Sequence, residues 1–482
     1  GRSFSKERRP AFPFLFIPHF AKVVAAMAEI ASVVPELDAP GPGTGESAEG
    51  GVSKPSKKEG ARQPLSTFKT YVNLVTVVIG AGIMALPQLP LRSGWVLSSL
   101  ILVLVLLSSV ESGLHMWRAF MASRGSFEML TYGDLGREAW GPLGEILANL
   151  VINIFLFGIY SAYAVLIGMQ LENISQQALE KRVWILILYP VFVALALTPN
   201  LSALSKLVPV GMLAACATAA FIVGKSLADA SHWQTWDQEI HFAWPQESLM
   251  SLGVVLATCI GAVAFQPVVP AVLQDMGKPE KFPLAMLAAL VTCGCLYIAV
   301  MLCGYYGYGA FIRQDIVQSM THAPKDLQEA FEDEAEAWNW TGEKSLWVPA
   351  LVSSLVLLNI VLSMPIIMMA VFYSVQESKA LAPYVKPGSW ANWVMRATLV
   401  TIAVAIAMCV PRFTLVFGFF CAVAGPAVAL AFPLLFSGAV LRRCGVAQSW
   451  WRHGLHGLII GLSLLCMVAG IYTSVVDLLE GQ

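Results

Sequence analysis

Gly80-Ala81-Gly82-Ile83-Met84-Ala85-Leu86-Pro87 lies within an apolar run starting near residue 68, and Gly261-Ala262-Val263-Ala264-Phe265-Gln266-Pro267 lies within another starting near residue 250. Each run is long enough to cross a hydrocarbon layer of about 30 Å. An uninterrupted apolar helix has no use for glycine, small residues and proline at its centre, because glycine weakens a helix and proline removes a donor and clashes with the preceding turn. Both segments are therefore read as helices unwound at mid-depth, each followed by a further proline, Pro90 and Pro270. Such backbone survives inside a membrane only where protein or a water-filled cavity satisfies it.

The rest of the chain supplies the membrane context. Its 482 residues are 57% hydrophobic and 13% charged, with mean hydropathy +0.68, whereas an ordinary soluble domain is about 25% charged. Eleven spans are expected, at about 68–91, 95–118, 146–170, 183–199, 203–226, 250–272, 284–308, 346–374, 391–411, 414–440 and 455–477. Residues 1–66 differ in composition, with Gly41-Pro-Gly-Thr-Gly45 and the basic Lys54-Pro-Ser-Lys-Lys58, and are expected to form a disordered cytosolic tail ahead of an eleven-span domain at 67–482. Within the tail, residues 11–34 read as an amphipathic surface helix rather than a span. The chain begins with Gly rather than Met, so the natural N-terminus or a targeting signal is expected to lie outside it.

Charge sets the orientation and excludes several functions. Lys and Arg are more numerous in the loops on the tail's side, even with the tail set aside, which places the N-terminus in the cytosol. The acidic loop before span 8 then faces away from the cytosol, and its Asn339-Trp340-Thr341 fits an N-glycosylation acceptor there. Net charge is −1, so nothing points to nucleic acid. No zinc-site spacing is present, the nine cysteines do not form a disulfide framework, and Gly224-Lys225-Ser226 lacks the earlier glycine of a phosphate-binding loop. No cofactor, metal or catalytic constellation is expected.

Corresponding breaks five spans apart point to a substrate site between inverted repeats. A broken helix exposes N–H groups at one half-helix and carbonyls at the other, so it can hold a zwitterion without a charged side chain. An α-amino acid fits, its carboxylate at Gly80, Ala81 and Gly82 and its ammonium at carbonyls near Gly261, Ala262 and Ala264, with Phe265 capping the side chain. The competing reading is that these small residues only permit close helix packing.

At the same point a family comes into view. Tyr71-Val-Asn-Leu-Val-Thr-Val-Val-Ile-Gly-Ala-Gly-Ile-Met-Ala-Leu-Pro87 resembles the first-helix signature of the amino acid/auxin permease family. Tyr132-Gly-Asp-Leu-Gly136 with Trp140-Gly141, Asp275-Met-Gly-Lys-Pro279, Gly304-Tyr-Tyr-Gly-Tyr-Gly309 and Val410-Pro-Arg-Phe413 follow in the family's order. The resemblance covers roughly residues 66–477. It implies an all-α polytopic membrane protein of LeuT type, five plus five inverted spans and an eleventh, carrying amino acids by alternating access with H+ or Na+ in a plasma, vacuolar or lysosomal membrane. In the family's sodium-coupled branch a first-helix Asn and an eighth-helix Thr before Xaa-Pro contribute to the cation site. Those positions hold Thr76 and Ser363 here, and the arginine expected after the eighth-helix proline is Phe372.

Polar groups inside spans complete the candidates. Asn73, Thr76, Asn153, Tyr160, Tyr163, Ser353, Ser354, Asn359 and Ser363 lie on spans 1, 3 and 8; Tyr160 is assigned to the substrate, and Asn73, Thr76 and Ser363 to ion coupling. Glu111 lies within span 2, His115 follows at i+4 and Arg118 at i+7 on the same face. A buried carboxylate needs a partner: Glu111 and His115 are either a protonatable coupling pair or a salt-bridge closure of the cytosolic end. Three functions remain open: a secondary active amino-acid permease, a membrane amino-acid sensor signalling through residues 1–66, and a channel-like facilitator without coupling.

Overall fold

A computed structural model describes residues 65–80, 82–124, 131–198, 208–230, 240–245, 248–320, 347–377, 383–386, 388–410 and 412–480. The tail through residue 64, its amphipathic stretch, Ala81 and the Asn339 acceptor lie outside the described residues. Among the described residues nine helices are long and apolar enough to cross a membrane. Two further spans complete the expected eleven: Lys181–Leu197 has 17 residues, and span 1 is split.

Span 1 runs as Thr67–Val78, then Gly82–Ala85 and a 3-10 turn at Leu86–Gln88, continuing into Leu89–Ser123, which contains span 2. Span 6 runs from Leu249–Ser251 and Leu252–Val263 to Gln266–Val268 and Val269–Asp275, with Ala264 and Phe265 outside the helix. Both breaks thus fall where the small residues and prolines lie. The other spans are Pro142–Ile174, Val208–Asp229, Phe282–Tyr308, Trp347–Glu377, Trp390–Cys409, Phe413–Pro426 with Phe432–Arg443, and Trp450–Leu479. Tyr132–Trp140, which the sequence reading left as a motif without structure, is a helix on the tail side, closed at its start by a reciprocal bond between Thr131 and Asp134.

Packing divides the spans into two groups. Spans 1, 2, 6 and 7 pack on one another, and span 3 gathers spans 4, 8, 9 and 10. Span 3 is buried on nearly every side from Tyr160 to Gln170, as a central helix must be. Span 5 packs on spans 7 and 8, and span 10 on spans 2 and 3. Shifting numbers by five turns one set of contacts into the other, which is the pattern of an inverted repeat. Span 11 lies against spans 6 and 10; its outward face of Leu458, Leu465 and Val468 is apolar and exposed, as a lipid-facing surface is.

Two glycines with positive φ fix the face opposite the tail. Gly94 (φ 73°) kinks the chain between spans 1 and 2, and Gly309 (φ 53°) ends span 7. Residues 240–245 thread between them: Trp95 N–H donates to Phe242 O at 3.0 Å, Ala310 N–H to Ile240 O at 2.9 Å, and Phe242 N–H to the Tyr305 hydroxyl at 3.0 Å. A Cβ on Gly94 would overlap the Ala243 carbonyl, so backbone conformation and close approach both require glycine. Gly94→Ala is expected to lose about 1–3 kcal/mol, read as a lower Tm of the purified protein. His241, in the same strap, bonds the Tyr306 carbonyl at 2.9 Å. Burial holds its imidazole below the ordinary range, the carbonyl only partly offsetting this. The folded state therefore prefers the neutral ring: its contribution is complete above about pH 6.5 and declines on acidification. His241→Phe should flatten the acid limb of a Tm-against-pH curve.

Candidate substrate site

The two breaks meet. A Cβ on Gly82 would stand 2.9 Å from the Ala262 Cβ and 3.0 Å from its Cα, so the backbones approach as closely as glycine allows. The Tyr297 hydroxyl, from span 7, donates to Val78 O at 2.5 Å and lies 3.2 Å from Ala262 O. One proton is thus shared between the carbonyls freed where spans 1 and 6 unwind, and Tyr297 is fully buried. Span 1 starts and span 6 ends against each other as well: Leu65 N–H donates to Asp275 O at 2.8 Å, and Gly277 N–H to Leu65 O at 3.1 Å.

Span 6 has its own remedy for lost helical bonds. Phe265 N–H donates to Gln266 Oε1 at 3.0 Å, Gln266 Nε2 donates to Ser112 Oγ at 2.9 Å, and Ser112 Oγ donates to Ala429 O at 3.0 Å. Ala429 belongs to a π-helical turn, Ala427–Ala431, in span 10. Its widened register presents carbonyls sideways, and Val428 O accepts the Tyr132 hydroxyl at 2.8 Å. Gln266, 0% exposed, thus replaces a backbone partner with a side-chain amide and ties the break to spans 2 and 10.

The expected substrate residues fall around this junction. A Cβ on Gly80 would point at the Tyr163 hydroxyl, 2.9 Å away; Tyr160 is buried one turn earlier on span 3. Gly261 faces Cys421, with Phe155 beyond, and Phe417 lies 3.6 Å from the Gly82 Cβ position. Ala262 supplies one of the carbonyls that the Tyr297 hydroxyl meets, and Ala264 follows the end of the first half of span 6; Ala81 lies outside the described residues. Phe265 is 1% exposed and its ring packs against Gly113 of span 2, which gives it a packing contact rather than an open face. Tyr297, Gln266, Cys421 and Phe417 were not singled out from sequence. Only Gln266 had a local signal, a long amide between an aromatic and a proline.

The expected ion-coupling residues divide. Thr76 donates to Val72 O at 2.8 Å and stands 3.2 Å from Met212 Sδ; Ser363 donates to Asn359 O at 2.8 Å, and Asn359 donates to Gly211 O at 2.8 Å. Thr76 and Ser363 therefore flank one point of span 5, Gly211 and Met212. Asn73 is exposed and is not gathered with them. Glu111 and His115 are elsewhere, between spans 2 and 11, where Glu111 Oε1 bonds His456 Nε2 at 3.0 Å. His456 lies 345 positions from Glu111, beyond any motif. Phe372 carries the guanidinium of Arg396, from span 9, 5.0 Å over its ring; Arg396 also donates to Ala196 O at 3.1 Å at the end of span 4.

A cavity of about 510 Å3 opens toward the junction from the side opposite the tail. It is lined by Ala85 and Thr258, one from each broken span, and by Arg92, Lys181, Arg313, Arg412 and Asp477. Arg92 and Asp477 pair at 2.6 Å across its mouth.

The family model described as transmembrane amino acid transporter protein matches residues 63–476. The chain belongs to this family. It is a family of transporters, not of enzymes. Amino acid transporter ANT1 of Arabidopsis thaliana is 26% identical over 55% of this chain and 62% of its own length; amino acid transporter AVT1D of the same plant is 23% identical over 84% of this chain and 68% of its own. Amino acid transporter AVT1I is 26% identical over 51% of this chain and 60% of its own, so the match spans about three fifths of the first relatives. A solved structure, the inward-facing conformation of Mhp1, superposes with TM-score 0.54 at 12% identity, covering 87% of this chain and 93% of that one. The fold is thus LeuT-type, as the family resemblance implied.

Tyr297→Phe would leave two membrane-buried carbonyls without their donor. About 1–3 kcal/mol of stability should be lost, seen as a lower Tm, together with weaker binding of labelled amino acid.

Proposed function

We propose that this family member is a secondary active amino-acid transporter that holds its substrate between the broken centres of spans 1 and 6. The observation that carries the reading is the direct apposition of Gly82 and Ala262, with the Tyr297 hydroxyl on carbonyls of both breaks. The helix that starts at Gly82 turns its N-terminal end toward the break, where the Ile83 N–H donates to Gly80 O at 3.3 Å and the Gly82 N–H has no intrahelical partner, a place for a carboxylate. Span 6 ends its first half at Val263 and so presents carbonyls, a place for an ammonium. A zwitterion neutralises both ends without a buried side-chain charge, whose desolvation is costly. The cavity opposite the tail is the entry on that side, and the two packing groups provide parts able to rock against each other around the junction.

The cycle is driven by a proton or sodium gradient, with the N-terminus in the cytosol of a cell whose plasma, vacuolar or lysosomal membrane holds the chain. Between the ions the proton is favoured. Sodium takes hard oxygen ligands, and the Thr76 hydroxyl faces a thioether, Met212, which suits soft ions instead.

Gly80→Val should abolish binding of labelled amino acid while leaving membrane insertion intact, because its methyl groups meet the Tyr163 hydroxyl and fill the carboxylate's place. Unchanged binding would remove the site from span 1. Proteoliposomes given a labelled amino-acid mixture should accumulate it above equilibrium under an inward proton gradient. Binding without accumulation under proton or sodium gradients would instead favour a sensor.

A further inference from the structure

Transport as described makes no use of a compact group of metal-ligating side chains that the described spans bring together. Glu111 and His115, one helical turn apart on span 2, meet His456 of span 11, and the ligand atoms of all three lie within 4.8 Å of one another. Glu111 Oε1 and His456 Nε2 are 3.0 Å apart, and the two imidazoles stand edge to face with centroids 4.5 Å apart. His115 is 1% exposed and its Nδ1 is buried with no hydrogen-bond partner; its Nε2 has only the Gln448 amide, at 3.4 Å. A buried ring nitrogen without a partner costs free energy, which is recovered if an ion or a donor reaches it.

We propose that Glu111, His115 and His456 form a binding site for a divalent transition-metal ion of zinc type, joining span 2 to span 11 on the tail side. Two imidazoles and one carboxylate are a donor set that zinc takes at about 2.0–2.2 Å in tetrahedral geometry, with a fourth position left to water. Ligands at that radius stand about 3.3 Å from one another. The Glu111–His456 separation already matches, and rotation of the His115 ring brings in the third ligand. Calcium or magnesium is not the match, since both require a cage of oxygens. The adverse charge is Arg118, whose Nη1 lies 3.8 Å from Glu111 Oε1 and makes no hydrogen bond; Arg452, one turn before His456, adds to it. These guanidiniums compete with the metal for Glu111, so the site is of moderate affinity and regulatory rather than structural. Occupied, it clamps span 2, which belongs to the group that rocks, to span 11 outside that group, and slows exchange; this consequence rests on the transport reading, whereas metal binding does not.

The test uses the purified full chain in detergent with zinc chloride alone, read by equilibrium dialysis against zinc and by thermal shift. Wild type is expected to bind one zinc per chain and to gain several degrees of Tm. His115→Ala/His456→Ala should lower affinity at least tenfold and lose the shift. Arg118→Gln should tighten binding several-fold, because a cation that repels the metal and competes for the carboxylate is removed, a response that a merely structural salt bridge would not give. His456→Gln serves where the double variant does not fold, with the same expected loss. Equal zinc binding by wild type and the histidine variants, no zinc on wild type, or weaker binding by Arg118→Gln would each overturn the proposal. Substrate exchange by wild type without zinc tests the transport reading separately.

Discussion

Unwound backbone at mid-membrane is the constraint on which the structure turns. A helix that stops in a hydrocarbon layer exposes groups that neither lipid nor bulk water satisfies, and each such group costs several kcal/mol if left alone. Here the solution is shared between spans. The Tyr297 hydroxyl reaches carbonyls from both breaks, and Gln266 takes the Phe265 amide and passes the connection through Ser112 to a π-turn of span 10.

The same arrangement sorts the spans into packing units. Bonds within the Tyr297 and Gln266 networks hold spans 1, 2, 6 and 7 as one unit and anchor it to span 10. Contacts to the other group are made of helix faces, with spans 5 and 10 as intermediaries in matching positions. On the face opposite the tail, the strap of residues 240–245 joins spans 2 and 7, and the Arg92–Asp477 pair lines the cavity that Ala85 and Thr258 of the two broken spans also line.

The local features were legible and the assembled ones were not. Gly80, Gly82 and Pro87, and Gly261 and Pro267, mark positions where a helix is disfavoured by its own backbone chemistry, so both breaks and the eleven spans follow from patterning. The family's motif order carried the fold. Tyr297 sits in an apolar run like other membrane tyrosines, and nothing nearby marks its hydroxyl as the bridge between spans 1 and 6. His456 is likewise distant from Glu111, so the pairing expected with His115 becomes a three-residue cluster only after folding. Helix Tyr132–Trp140 was missed because it is short and polar, and its capping pair, Thr131 and Asp134, was not read as a start signal. Asn73, expected in ion coupling, lies on an exposed face of span 1, which its residue type alone does not reveal.

A structure of the chain determined with a bound, heavy-atom-labelled amino acid tests the central claim most directly. The account predicts density between Gly80–Gly82 and Gly261–Ala264, with the carboxylate toward span 1 and the Tyr297 hydroxyl still between the two breaks. Density confined to the cavity lined by Arg92 and Asp477, with the breaks closed on each other and empty, would contradict it.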